Sequence, residues 1–98
     1  NLEALKNVKD ARGRTLEIDF IYEGDYSILE FDECRSYINT YLANDAVIVP
    51  GYDDERDYLA IETYQNIYPD RDVAQVQISD IAIGGGGIHC ITQQQPNP

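Results

Sequence analysis

Positive charge is scarce: 7 Lys and Arg stand against 18 Asp and Glu, for a formal net charge of −11. Binding to a phosphate backbone depends on cationic side chains that displace counterions, so a nucleic-acid partner is disfavoured. The acidic field would attract small cationic ligands, although a solvated acidic surface accounts for the same balance. Long apolar runs are missing too. None approaches the roughly 20 residues that cross a bilayer, so no membrane span is expected. Cysteine is limited to Cys34 and Cys90, far apart, with no secretory signal pattern ahead of them, and a reducing cytoplasm is the expected compartment. Histidine occurs once, at His89, and tryptophan not at all. Cys34, His89 and Cys90 lack any zinc-ligand spacing, and the acidic stretch 23–33 has carboxylates too irregularly placed for a calcium loop, so no metal site is expected.

The 98 residues suffice for one small domain, 1–98, though a chain of this size buries only about two-thirds of its unfolded surface. It opens at Asn1 without a methionine, as an excised segment or a chain with a removed tag would. Leu2, Leu5 and Val8 recur at helical spacing, with Gly13 placed as a helix-ending residue. Leu16, Ile18, Phe20 and Tyr22 alternate with Glu17, Asp19 and Ile21, which predicts a strand. Residues 23–33 read as an exposed acidic loop with a short strand around Ile28. Tyr37 to Ala43 and Ala46 to Val49 are β-rich runs joined by Asn44-Asp45, residues that tolerate positive φ, and predict a hairpin ended by Pro50 and Gly51. The unalternating run Ala46 to Val49 suits a strand covered on both faces. Behind Asp53, Asp54 and Glu55, the positions Ala60, Ile61, Tyr64, Ile67 and Tyr68 share one helical face, and Pro69 stops that helix. Val73 to Ile78 predicts a further strand. The unit is strand, strand, helix, strand.

Chemistry is concentrated in Gly84-Gly85-Gly86-Gly87-Ile88-His89-Cys90-Ile91-Thr92. Glycines without Cβ atoms allow close approach of a backbone just ahead of a thiol. A phosphate loop requires a following helix and usually a lysine, whereas Ile88 to Thr92 reads as a short strand. On alternation, a strand that aims Cys90 into a site turns His89 away from it, leaving His89 as a packed or hydrogen-bonded residue rather than the general acid. Taken alone, Cys90 would be an inert buried thiol.

The motif changes that reading. Gly84 to Gly87, Ile88-His89-Cys90-Ile91-Thr92 and Gln93-Gln94-Gln95-Pro96 together resemble the C-terminal signature of agmatine deiminases, in the guanidino-modifying (pentein) superfamily. Ser36-Tyr37-Ile38-Asn39, Tyr41, Ala43-Asn44 and Val47-Ile48-Val49-Pro50 resemble the same family in order and spacing. The likeness is good from about residue 36 onward, while 1–35 fit loosely, Cys34 stands where a proline is usual and Gly87 where asparagine is common.

The resemblance implies an α/β fold of five ββαβ modules around a pseudo-fivefold axis. About one module of it lies here, with its core at about 36–98. It implies that Cys90 attacks the guanidinium carbon of agmatine, that ammonia leaves, and that water releases N-carbamoylputrescine from an amidino-cysteine intermediate. No cofactor is implied. Gly84, Gly85, Gly86 and Gly87 would shape the pocket wall, and Asn39 would lie near the substrate. A planar cation of low electrophilicity also needs carboxylates to hold it and a histidine to move protons. In the family these come from earlier modules, so the chain alone is expected to be inactive, with a thiol of ordinary reactivity. The alternatives are a self-associating or partner-binding module without catalysis, and a deiminase of arginine or peptidyl-arginine.

Overall fold

In the computed structural model, residues 2–22 and 35–96 are described. The acidic stretch 23–33 and Cys34 lie outside the described residues. The elements are α1 (Leu2–Asn7), β1 (Tyr41–Leu42), β2 (Ala46–Gly51), α2 (Asp57–Ile67), β3 (Asp72–Gln77), α3 (Ser79–Ala82) and a 3₁₀ turn (His89–Ile91).

The expected strand, strand, helix, strand unit is present, and its sheet has the order β1-β2-β3. β1 and β2 form the hairpin, with Tyr41 opposite Ile48 and Leu42 opposite Val47. Ala43 N–H donates to Ala46 O at 2.9 Å across Asn44-Asp45, and Asp45 O accepts from Asp72 N–H at 2.9 Å, tying the turn to the start of β3. Neither turn residue uses the left-handed region that its composition suits: among the described non-glycine residues only Asp53 does, at φ 53°. β3 pairs with β2 in parallel from Ala46–Asp72 to Gly51–Gln77, and parallel neighbours require a crossover, which α2 supplies.

The core lies between α2 and the sheet. Val47 and Val49 on β2 are fully buried, and Ala60 and Tyr64 on α2 meet them together with Tyr37, Tyr52, Ile78, Ala82 and Ile88. Ile61, Ile67 and Tyr68 flank that helical face half-buried, and α2 ends at Ile67, ahead of Pro69, as expected. Ala46 and Ile48 are only half-buried, so the sheet is covered more fully on one face than on the other.

Five details depart from the sequence expectations. Residues 16–22 form no strand, because none of the described residues pairs with their backbone; Ile21 still packs against the core, while Phe20 and Tyr22 are exposed. Gly13 is left-handed, at φ 77°, but it belongs to a turn over Asp10–Arg14, beyond the end of α1. Here Asp10 accepts from the Arg12 and Arg14 backbone N–H groups. The first hairpin strand is short, since residues 36–40 form a turn in which Ser36 O accepts from Asn39 N–H. β2 runs on through Pro50 and Gly51, paired with Val76 and Gln77; β1 faces only Val47 and Ile48, so the N–H that proline lacks is not needed on that side. Finally, Ile88 to Thr92 contains a 3₁₀ turn instead of a strand. Among the described residues no strand pairs with this segment; it is held by Ile91 N–H to Ile88 O and Thr92 N–H to His89 O, both 3.2 Å.

Candidate active site

The thiol of Cys90 is exposed, not sealed in the interior. Its position follows from two anchors. Ile88, 5% exposed, fixes the start of the 3₁₀ turn in the core. Asn39 fixes the turn from the opposite side: its Oδ1 accepts from His89 N–H at 2.8 Å and its Nδ2 donates to Cys90 Sγ at 3.1 Å. Thr92 closes the far end, its hydroxyl donating to His89 O at 2.8 Å.

Asn39 is itself held rigidly. Two tyrosine hydroxyls grip its turn by the backbone, Tyr52 donating to Ser36 O at 3.0 Å and Tyr64 to Tyr37 O at 2.9 Å. The Tyr37 hydroxyl donates to Asp57 at 2.7 Å. Asp57 is buried at the start of α2 and also accepts from Tyr52 N–H at 3.1 Å, Asp54 N–H at 3.3 Å and the Gln77 side chain at 3.4 Å. Asp54 is paired with buried Arg35 at 2.9 Å. Sequence reasoning missed both carboxylates as site supports. The signal lay in Asp57, Ala60 and Tyr64 sharing one helical face, which puts a carboxylate among apolar neighbours.

The four glycines divide into two pairs. Gly84 and Gly85 close the turn after α3, their N–H groups bonding to Ile81 O and Ala82 O, and Gly85 has φ 93°. Gly86 and Gly87 are the ones at the thiol. A Cβ on Gly86 would lie 3.2 Å from Cys90 Cβ and 3.4 Å from its sulfur, and a Cβ on Gly87 would lie 2.7 Å from Asn39 Cγ. The thiol pKa is held below its ordinary value, chiefly by the Asn39 donor and then by the Gly87 backbone, against a small opposing effect of burial. Hydrogen-bond donors to sulfur favour the thiolate.

The 3₁₀ geometry also replaces the strand argument for His89. With three residues per turn, neighbouring side chains diverge by about 120°. His89 lines a depression of about 300 Å³ with Tyr41, Tyr64, Tyr68 and Gln94, and a shallower one with Ser36, Ile38 and Asn39. Among the described residues no His, Cys, Asp and Glu cluster has the makings of a metal site.

The unit of strand, strand, helix and strand, closed by the glycine-flanked Cys90 turn, is an α/β module of the pentein architecture. The chain belongs to the Porphyromonas-type peptidyl-arginine deiminase family, which it matches over residues 1–96. It is 43% identical to a Legionella pneumophila (strain Paris) protein provisionally named agmatine deiminase, over 98% of this chain and 28% of that protein. It superposes on the Enterococcus faecalis agmatine deiminase, solved catalysing its reaction, with a TM-score of 0.79 at 33% identity, covering 97% of this chain and 31% of the other. A Porphyromonas gingivalis structure provisionally named arginine deiminase gives a TM-score of 0.73 at 27% identity, over 97% and 28% of the two chains. The fold is thus about one ββαβ module, with flanking pieces, of the pentein architecture, and the chain spans less than a third of the length of these relatives.

Proposed function

We propose that this chain is the nucleophile-bearing portion, a single domain over 1–98, of an enzyme that hydrolyses agmatine to N-carbamoylputrescine and ammonia, with Cys90 as the nucleophile. One observation carries the reading: an exposed sulfur held by Asn39 and the Gly87 backbone, with the open side of Gly86 against it. A thiolate so stabilised attacks the guanidinium carbon. Its new C–S bond forms as one C–N bond breaks and ammonia departs with a proton, leaving an amidino-cysteine adduct. Water then adds to that carbon and expels the thiolate, so agmatine and water are converted to the two products with no redox change. Gly86 keeps the space beside the sulfur free of a side chain, whereas the space beside Gly87 is taken by the Asn39 side chain.

Asp54 and Asp57 are committed to Arg35, Tyr37 and Tyr52, and so do not serve as the carboxylates that grip a guanidinium. Those groups, and the proton-moving histidine, belong to the remaining polypeptide of a relative-length protein. The 98-residue chain is accordingly expected to release no ammonia from agmatine. In a protein of the relatives' length bearing this segment, acid quenching during turnover followed by mass spectrometry should find the adduct on the Cys90 peptide. Turnover that persists in Cys90→Ala would end the proposal. The match to a protein provisionally named arginine deiminase supports free arginine as the second substrate reading, and competition between the two substrates in that assay separates them.

A further inference from the structure

Both hydrogen-bonding ends of the Asn39 amide are used within the protein. Its oxygen is spent on the His89 N–H and its nitrogen on the Cys90 sulfur. This amide joins the backbone of the reactive turn to the reactive atom, using one acceptor site and one of its two N–H donors. Its own turn is fixed to the core by the Tyr52 and Tyr64 hydroxyls, so donor and sulfur are brought together before any substrate arrives. Gly87 makes the approach possible: Asn39 Cγ, Cβ and Oδ1 lie 2.7, 2.8 and 3.0 Å from where a Cβ on Gly87 would sit, closer than ordinary van der Waals contact allows.

We infer that Asn39 is a positioning residue for Cys90, clamping the 3₁₀ turn through its oxygen and stabilising the thiolate through its nitrogen, and that in this chain the missing side chain at Gly87 leaves that amide its place. This rests on the reading of Cys90 as nucleophile and gives Asn39 a role that needs no substrate contact. The two bonds are separable. Asn39→Asp keeps an oxygen for the His89 N–H but sets a carboxylate against the sulfur, where like charge opposes thiolate formation. Asn39→Ala removes both bonds.

The test is the pH profile of iodoacetamide alkylation in the whole chain on a Cys34→Ser background, with urea unfolding of each variant alongside. Against the parent, the rate at pH 7 should fall about threefold in Asn39→Ala and about tenfold in Asn39→Asp, with midpoints moved to higher pH. The urea midpoint of Asn39→Asp should stay near that of the parent, a split that a purely structural role would not produce. Gly87→Ala gives an independent route, raising the midpoint by pushing away an unaltered Asn39, and it decides the matter if Asn39→Asp does not fold. A parent-like alkylation midpoint in folded Asn39→Asp, or in folded Gly87→Ala, overturns the inference. No agmatine enters this experiment, so its failure leaves the adduct test of the nucleophile untouched, and a failed adduct test leaves this result standing.

Discussion

At the scale of single residues, Asp57 organises more of the structure than any apolar side chain. It joins the turn at Tyr37, the end of β2 at Tyr52 and the start of α2, so its loss strands several buried donors at once. Asp57→Ala should lower stability by about 3 kcal/mol, read as a urea midpoint shift, since buried donors left without an acceptor carry their full desolvation cost. Two tyrosines give a pH signature. Burial, with the Asp57 hydrogen bond and charge added, raises the Tyr37 pKa far above the ordinary phenol value, and burial raises that of Tyr64. Unfolded tyrosines release protons near pH 10 while these remain protonated in the fold. Their contribution is therefore intact below about pH 10 and is lost as pH rises beyond it. Alkaline unfolding followed by circular dichroism should begin there and shift upward in Tyr64→Phe, which has no proton to lose. The motif drew attention to Cys90, whose thiol is exposed in the structure. The Asn39 contact was not legible, because no periodicity reports a bond between residues separated by 51 positions.

Among the elements, the hairpin, α2 and β3 were all readable, α2 from the spacing of the face it buries and the strands from their β-rich runs between turn residues. The misreadings share one physical cause. Residues 16–22 and Ile88 to Thr92 have strand-like composition, but a strand exists only when a neighbour pairs with its backbone, and the sequence of one segment does not say whether a neighbour is there. β2 errs in the other direction, continuing through Pro50 because its partner lies on the side where proline costs nothing. Burial ranks the strands energetically. Val49→Ala, at a fully buried site in the central strand, should cost about 2–3 kcal/mol in urea unfolding, whereas Val76→Ala on β3, 48% exposed, should stay within about 0.5 kcal/mol.

For the whole molecule, exposed Phe20, Tyr22, Ile38, Tyr58 and Ile91 are between 62% and 78% accessible, a large apolar display for a protein of this size. Light scattering over a concentration series should show reversible self-association that weakens when Phe20 and Tyr22 are changed to Ser; a strict monomer at every concentration contradicts that expectation. The acidic charge would limit but not prevent it, because salt screens repulsion beyond about 10 Å at 0.1 M ionic strength. No helix among the described residues is long and apolar enough to cross a membrane.

The bond between Asn39 and Cys90 also ties chemistry to chain closure. Its two halves flank β1, β2, α2 and β3 in the sequence, so the sulfur acquires its donor only when everything between them has folded back. Thiolate character is thus a gauge of completeness. An unfolded copy, in which Asn39 and Cys90 are far apart, lacks that donor, so its thiol would react more sluggishly with electrophiles than that of a closed module.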